Sequence, residues 1–368
     1  MTTPTKTSQT AQPQTAWARI DLAALKHNVQ IARQSAPASK LWAVIKADAY
    51  GHGALPVAAA ISAQADGLIV ARVGEGLALR AAGHKEPILV LGGFHDGQEL
   101  EQAYEQQLQL LIHSPVQLQQ LQQSGLKLRC WLKVDSGMHR VGFAPPEVAA
   151  AHRQLQQISG QEVGLLSHFA CADDPADNAT AAQLACFNAA TAGLIGPRSL
   201  ANSAAILAHP ASHADWNRPG IMLYGGAPLV GQAASTHALK PVMTLASRVV
   251  AVRPLAAGEA VGYAASWRSS KVTRIAVIAI GYGDGYPRHA PSGTPVLING
   301  QRYPLVGRVS MDLITVDIGA APVSEGDEAI LWGEGLAASE IANCANTIDY
   351  ALFCGVTARV SRHYHLGQ

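Results

Sequence analysis

Short apolar runs recur eight times within the first 224 residues of this 368-residue chain. Stretches rich in Ala, Leu and Gln, with apolar residues at helical spacing, separate most of these runs. Strand and helix alternating eight times is typical of a parallel (β/α)8 barrel, which takes about 250 residues. The runs are Leu41–Ile45, Gly67–Val70, Pro87–Leu91, Leu108–Ile112, Leu128–Val134, Val163–Leu166, Gly220–Tyr224 and the weaker Arg198–Ala201.

The pattern changes after about Gly231, where turns rather than helices separate the strand-like runs. Asn299-Gly300 between two such runs predicts a tight β-hairpin, because both residues tolerate positive φ. We therefore predict a second, mostly antiparallel β domain. Its strand-like runs are Val242–Leu255, Val272–Ile280, Val296–Ile298, Leu313–Ile318 and Ala329–Trp332.

The predicted domain order is a disordered tail at residues 1–14, the barrel at residues 15–236 and the β domain at residues 237–368. The tail is rich in Thr, Gln, Ser and Pro and lacks the apolar core of a signal peptide. The first helix is predicted over Ile20–Ala32, with Asp21 as its N-cap. The linker between the domains is expected at Gly231–His237.

Composition narrows the function classes. The formal net charge is +1, so no basic field attracts nucleic acid. No apolar run is long enough to cross a bilayer. The five cysteines are an odd number without a Cys-x-x-Cys pair, which argues against a disulfide framework and favours a reducing compartment. We therefore expect a cytoplasmic protein that does not bind nucleic acid.

Polar residues follow the predicted strands where a barrel of this type carries its active site. Lys46 ends the first run, and a buried lysine with a lowered pKa is a nucleophile toward aldehydes. Ser203 and the backbone of Gly220 and Ile221 lie near the predicted seventh and eighth strands, the usual phosphate position. Further candidates at the same rim are Lys133, Asp135, Arg140, His168, Asn202 and Arg218.

Ala43–Gly53, with the sequence Ala-Val-Ile-Lys-Ala-Asp-Ala-Tyr-Gly-His-Gly, resembles the pyridoxal-lysine motif of the alanine racemases. Ser167–Ala170 completes the Ser-His-Phe-Ala pattern of that family, and Val261-Gly-Tyr263 resembles its catalytic tyrosine motif. The matches extend over nearly the whole chain. The resemblance implies the barrel, including its weak strand at Arg198–Ala201, and pyridoxal 5'-phosphate bound to Lys46.

The resemblance also assigns roles to the other rim residues. Arg218 meets the pyridine nitrogen, with His168 beside it, and we expect it to keep that nitrogen unprotonated. Arg140 meets the phenolic oxygen and the substrate, and Lys133 is expected to be carbamylated, which would hold Arg140 in place. The implied phosphate ligands are Tyr50, Ser203, Gly220, Ile221 and Tyr350.

The predicted β domain supplies the rest of the site. In the family, the counterparts of Tyr263, Tyr282, Met311 and Asp312 enter the site of the other subunit, which implies a homodimer. Racemisation needs a base on each face of the substrate, so Lys46 would serve D-alanine and Tyr263 L-alanine. The implied function is interconversion of the alanine enantiomers, for peptidoglycan synthesis or for alanine breakdown.

Four alternatives remain open at this stage. A broad-specificity racemase usually has a signal peptide and smaller residues where substrate enters, and a basic amino-acid decarboxylase is longer. A non-catalytic pyridoxal phosphate carrier consists of the barrel alone and has no domain with Tyr263. A metal hydrolase is disfavoured because Pro210 separates His209 from His213, so no helix presents them together and no metal is expected.

Overall fold

The computed structural model describes residues 15–366, which divide into two units. The first comprises residues 21–242, 349–354 and 364–366, and the second comprises residues 15–20, 243–348 and 355–363. The sequence assigned residues 15–20 to the barrel and residues 237–242, 349–354 and 364–366 to the β domain, and the division into units places each of these segments in the other unit. The predicted tail at residues 1–14 lies outside the described residues.

Eight parallel strands form the ring of the first unit. After β1 (Ala16–Asp21) in the chain come β2 (Lys40–Val44), β3 (Gly67–Val70), β4 (Ile88–Val90), β5 (Gln109–Ile112), β6 (Cys130–Lys133), β7 (Gly164–Leu166), β8 (Arg198–Ser199) and β9 (Trp216–Asn217). Their order around the ring is β8-β7-β6-β5-β4-β3-β2-β9. A parallel bridge joins Asn202 after β8 to Arg218 after β9, which makes the ring nearly closed. Every residue of β3 to β7 is buried, as expected for parallel strands covered on both faces.

The eighth barrel strand differs from its prediction. It is Trp216–Asn217, whereas Ile221–Tyr224 forms a short 3-10 helix. All four residues of Ile221–Tyr224 are buried, and a short buried apolar run does not distinguish strand from helix. Arg218 therefore follows the last strand instead of leading into it. The weak run at Arg198–Ala201 does contain a strand, as predicted.

Helices follow the barrel strands. Asp21 caps the first helix as predicted, because its carboxylate accepts the N–H groups of Ala23 and Ala24 at 2.8 and 3.0 Å. The segments of the first unit are α1 (Leu22–Ser35), α2 (Lys46–Tyr50), α3 (Ala54–Ile61), α4 (Val73–Ala81), α5 (Gly97–Glu105), α6 (Pro115–Ser124), α7 (Pro145–Ser159), α8 (Ala179–Ala190) and α9 (Ser203–Ala208). Within α2, the backbone is left-handed from Ala47 onward.

The second unit is built on an antiparallel sheet. The strands of this unit after β1 are β10 (Met243–Leu255), β11 (Ala260–Val261), β12 (Trp267–Arg268), β13 (Thr273–Ile278), β14 (Pro295–Ile298), β15 (Gln301–Pro304), β16 (Ile314–Asp317), β17 (Glu328–Trp332) and β18 (Ser361–His365). The sheet has the order β15-β14-β17-β10-β1-β18, with β13 pairing β10 and β16. Ile298 pairs with Gln301 across Asn299-Gly300, where φ is 50° and 74°, which confirms the predicted hairpin. The last helices of the chain are α10 (Ala338–Cys344), which belongs to the second unit, and α11 (Asp349–Gly355), of which residues 349–354 belong to the first.

Candidate active site

Lys46 lies two residues after β2, at the carboxyl rim of the barrel. Val44 and Ile45 before it are buried, and Lys46 itself is half-buried. Burial lowers the pKa of Lys46, and the positive charge of Arg140 lowers it further. The amine therefore has a larger neutral, nucleophilic fraction at neutral pH than an ordinary lysine has.

The segment after Lys46 is a turn of left-handed helix. Four consecutive non-glycine residues, Ala47–Tyr50, have φ between 51° and 53°. The Cβ of each meets a carbonyl oxygen in this conformation, so such turns need support from their surroundings. Gly51 and Gly53, which follow the turn, also have positive φ, 77° and 92°, a conformation that glycine adopts without strain.

The left-handed turn brings Tyr50 into the barrel. Its ring lies 5.0 Å from that of Tyr224 and 5.5 Å from that of Tyr350, between ring centres. Tyr350 thus lies in the barrel unit, although the sequence assigned it to the β domain. Burial raises the pKa of the Tyr50 and Tyr350 hydroxyls, so both remain protonated and can donate hydrogen bonds.

A polar cradle lies next to Tyr50. Ser203 Oγ accepts the N–H groups of Gly220 and Met222 at 2.8 and 3.3 Å. A Cβ added to Gly220 would lie 2.8 Å from Tyr50 Oη, so only glycine leaves this approach open. Ile221 is the first residue of its 3-10 helix, where the N–H has no partner within the helix. Hydroxyl and backbone donors of this kind suit a phosphate.

Arg218 is buried and held by four acceptors. Its Nη1 donates to Ser199 Oγ at 2.7 Å, and its Nη2 donates to Ser167 O at 2.7 Å, Leu200 O at 3.0 Å and His168 Nδ1 at 3.1 Å. Within the described part of the chain, none of its hydrogen bonds involves Nε or a carboxylate. Burial lowers the pKa of Arg218 to about 9, so the guanidinium stays charged at neutral pH.

His168 is neutral at physiological pH. Burial and the charge of Arg218 hold the pKa of His168 well below its usual range. A guanidinium can only donate, so Nδ1 of His168 is the acceptor and the ring proton resides on Nε2. The pair therefore presents a fixed cation and a histidine of defined tautomer.

Lys133 ends β6 inside the barrel and is 5% exposed. Its Nζ donates to Val134 O at 3.4 Å. Oδ1 of the nearby Asp135 accepts the N–H groups of Gly137, Met138 and His139 at 3.0–3.1 Å. Burial, then the charge of Arg218, lowers the pKa of Lys133 to about 7. About half of the lysine is therefore a neutral amine near pH 7. Arg140, on the loop that follows, is exposed.

The candidate residues of the second unit are exposed. Tyr263 is 68%, Met311 53% and Tyr282 40% exposed. The N–H of Tyr282 donates to Ser310 O at 3.0 Å, and the N–H of Gly283 donates to Met311 O at 2.8 Å, so the segments of Tyr282 and Met311 lie side by side. Tyr263 lies on a separate short 3-10 helix, Tyr263–Ala265.

Sequence reasoning missed two charged residues that hold these segments. Glu75 Oε1 accepts the N–H of Ala47, the residue after Lys46, at 2.7 Å. Arg359 donates to Asp312 at 2.7 Å and lies 3.3 Å from Asp284. Glutamate is common in the first turn of a helix, and arginine is common before a terminal strand. The sequence alone therefore does not distinguish Glu75 and Arg359 from ordinary residues at such positions.

Within residues 15–366, no helix has the length and apolarity to span a membrane. No cluster of three or more His, Cys, Asp or Glu residues in the same range is placed to hold a metal ion.

The comparisons with known proteins agree over most of the chain. The family model described as alanine racemase, N-terminal domain, matches residues 20–228, and alanine racemase, C-terminal domain, matches residues 242–364. An alanine racemase from Halorhodospira halophila is 51% identical over 94% of this chain and 96% of its own length. One from Thioalkalivibrio sulfidiphilus is also 51% identical, over 94% and 98% respectively.

Solved structures give the same result. The biosynthetic alanine racemase of Pseudomonas aeruginosa has a TM-score of 0.94 and 44% identity, covering 96% of this chain and 99% of its own. The alanine racemase of Bartonella henselae, solved with covalently bound pyridoxal phosphate, has a TM-score of 0.88 and 30% identity, covering 96% and 100%. With two family models matched along its length and relatives about half identical, this chain belongs to the alanine racemase family.

Proposed function

We propose that this protein interconverts L-alanine and D-alanine, with pyridoxal 5'-phosphate bound covalently to Lys46. The observation that carries the proposal is the barrel rim, where a lysine of lowered pKa, a cradle of hydroxyl and backbone donors and a buried arginine lie together. D-alanine formed in this way would supply peptidoglycan synthesis, and similarity to the biosynthetic enzyme of Pseudomonas aeruginosa favours this role over alanine breakdown.

The residues present fit the phosphate of the cofactor. Ser203 Oγ already accepts two N–H groups, so its own proton is available to a phosphate oxygen. The protonated hydroxyls of Tyr50 and Tyr350 and the N–H of Ile221 would complete the donors. Gly220 permits the close approach, because a side chain there would meet Tyr50. Each group donates, which is what a phosphate requires.

Arg218 fits the pyridine nitrogen. Its four acceptors occupy the Nη atoms, which leaves Nε to donate to the ring nitrogen. Because the guanidinium remains charged, it would keep that nitrogen unprotonated. The bound cofactor supplies electron withdrawal that acidifies the α-hydrogen of an attached amino acid. Arg218 would make this electron withdrawal weaker than a carboxylate at the same position would, and it would thereby limit transamination.

Two bases on opposite faces would exchange the α-proton. Lys46 would take or return it on the face that handles D-alanine. Tyr263 of the partner subunit would do so on the face that handles L-alanine. Arg140 would meet the phenolic oxygen of the cofactor and the substrate, and the Met311 backbone of the second copy would meet the substrate carboxylate. Tyr282 and Asp312 would line the opening and favour a small substrate.

Lys133 is proposed to carry a carbamate. A neutral amine adds to carbon dioxide, forming one C–N bond and releasing one proton, and the product is an anion. The lowered pKa of Lys133 supports this reaction, because the neutral amine is abundant near pH 7. The anion would face the cations Arg218 and Arg140, both of which act electrostatically on Lys133, and would hold the Arg140 guanidinium in place.

A homodimer is part of the proposal. The second unit exposes large apolar side chains at Tyr263, Tyr282, Met311 and Leu313, which favours a partner surface over them. A second copy of the chain would supply these residues to each barrel. The five cysteines are free, which is in keeping with the proposed cytoplasmic location.

The experiment that tests the function compares the wild-type protein with Lys46→Ala. The wild type is expected to racemise either enantiomer of alanine and to retain pyridoxal phosphate on the Lys46 peptide after borohydride reduction. Lys46→Ala is expected to lose the attachment and at least about a thousandfold in rate, because it removes both the anchor and one base. Racemisation by the wild type without cofactor on Lys46 would refute the proposal.

A further inference from the structure

Glu75 joins the first turns that follow two adjacent barrel strands, β2 and β3. Its Oε2 accepts the N–H groups of Ala71 and Arg72 at 2.7 and 3.0 Å, which is ordinary capping of α4. Its Oε1 instead reaches the other turn and accepts the N–H of Ala47 at 2.7 Å. The second bond is not part of the cap, and it lies at the peptide that follows Lys46.

The Ala47 peptide is where support is needed. Left-handed backbone begins at this residue and continues to Tyr50. Non-glycine residues hold such a conformation only when their surroundings determine it. Glu75 accepts the N–H of Ala47, the first residue of the turn. Asp48, the second residue of the turn, accepts the N–H of Ala54 through its Oδ1 at 2.7 Å. The start of the turn determines the position of the Lys46 side chain, and its end determines the position of the Tyr50 hydroxyl.

Glu75 also balances the charges around Lys46. Burial and the cations Arg140 and Arg218 lower the pKa of Lys46, whereas Glu75 raises it, as does Cys354 when its thiol is deprotonated. Among the charged groups of the described residues that shift the pKa of Lys46, Glu75 is the one carboxylate. A lysine that has to take a proton from a substrate needs the basicity that the two arginines reduce.

We propose that Glu75 is a positioning residue for Lys46, holding the Ala47 peptide so that the lysine side chain leaves the barrel rim at a fixed place. Its charge also keeps the amine basic enough to act on the substrate. This inference rests on the proposed role of Lys46. Glu75 touches neither substrate nor cofactor and acts through the peptide and the field at Lys46.

The test uses Glu75→Gln and Glu75→Asp in the full-length protein, with Glu147→Gln as the matched control. Glu147 caps α7 in the same way, since its Oε2 accepts the N–H of Ala144 at 2.8 Å. Glutamine has one acceptor oxygen, so it cannot accept on both sides, and it carries no charge. Aspartate keeps the charge but is one methylene too short to reach both turns.

Two readouts separate position from charge. In cofactor-free protein, the rate at which an acylating reagent modifies Lys46 is followed against pH by mass spectrometry of its peptide. Glu75→Gln is expected to move the midpoint down by about half a pH unit, because a nearby negative charge is lost. Retention of added pyridoxal phosphate on Lys46, fixed by borohydride, is expected to fall about tenfold in both Glu75 variants. Glu147→Gln should match the wild type in both readouts.

Several results would overturn the inference. An unchanged midpoint in Glu75→Gln would remove the role of its charge, and unchanged retention in both variants would remove the positioning role. A loss in Glu147→Gln equal to that in Glu75→Gln would reduce Glu75 to a helix cap. If the wild type itself retains no cofactor, the proposed function fails, whereas the midpoint of Lys46 still reports on Glu75.

Discussion

At the scale of single residues, the two proposed bases differ in their surroundings. Lys46 is half-buried between groups of both signs, whereas Tyr263 is exposed on its own chain and would need a second copy to meet a substrate. This asymmetry follows from their positions, one at the end of a buried strand and the other on a short 3-10 helix.

The first residue-scale prediction concerns Tyr263→Phe, which removes the hydroxyl but keeps the ring. Exchange of the α-proton with deuterated water starting from L-alanine should fall by about a hundredfold or more, because the proposed base for that face is gone. Exchange starting from D-alanine should fall far less, since Lys46 remains. The measurement is proton NMR of each enantiomer, and equal losses would contradict the assigned faces.

The second residue-scale prediction concerns Lys133, whose pKa in the folded protein is about 7, compared with 10.5 for an ordinary lysine. Between these values the unfolded chain binds a proton that the folded chain does not, so stability rises with pH through that window. In cofactor-free protein without carbon dioxide, the contribution of Lys133 is a rise of about 1 kcal/mol per pH unit. Lys133→Met should lack it, as measured by urea unfolding between pH 7 and pH 9.

The same residue offers a second readout. With isotope-labelled bicarbonate, the wild type should show a carbamate carbon signal that Lys133→Met lacks. Equal pH slopes of stability in the two proteins would show that Lys133 is not the titrating group, and an absent carbamate signal would end the proposed modification.

At the scale of elements, the segment before β18, which contains Thr357 and Arg359, contacts both turns that carry Tyr282 and Met311. Thr357 Oγ1 donates to Gly283 O at 3.0 Å, and its N–H donates to Asp284 O at 3.1 Å. Arg359 bridges Asp284, which is buried, and Asp312, which is exposed. A single exposed ion pair contributes little to stability, but this arginine links two turns that are otherwise joined by backbone bonds.

Removing that link gives a prediction for Arg359→Met. The turns should remain folded but hold the Met311 backbone less precisely, so KM for alanine should rise by about fivefold to tenfold with a smaller change in kcat. Arg302→Met, which removes a surface pair with Glu340, is the matched control and should leave KM unchanged. An unchanged KM in Arg359→Met would show that the backbone bonds alone position the turns.

At the scale of the whole molecule, the proposal requires each active site to draw on two copies of the chain. Lys46 and Tyr263 would come from different subunits at every site. A dimer of one Lys46→Ala subunit and one Tyr263→Phe subunit would then contain one doubly altered site and one wild-type site.

Mixing the two variants therefore gives a prediction about assembly. Unfolded together and refolded, they should regain roughly a quarter of the wild-type activity, because about half of the dimers are mixed and each has one intact site. Each variant refolded alone is the control and should stay inactive from L-alanine. No recovery from a mixture shown to contain mixed dimers would place both bases in one chain.

The sequence by itself determined the two architectures and most of the candidate rim. The alternation of apolar runs and helical stretches predicted the barrel, and Asn299-Gly300 predicted the hairpin of the β domain, because each signal lies in neighbouring residues. Polar residues such as Lys46 and His168 were predicted at one rim because parallel strands carry their following residues to the same edge.

Tertiary structure decided what no local pattern encodes. The left-handed turn at Ala47–Tyr50 exists because distant groups hold it, and Glu75 lies 28 residues from the N–H that it accepts. The chain path alone places Tyr350 beside Tyr50 and makes Trp216–Asn217 the eighth strand. Hydrogen bonds between residues far apart in sequence leave no periodicity, so they become visible only once the chain has folded.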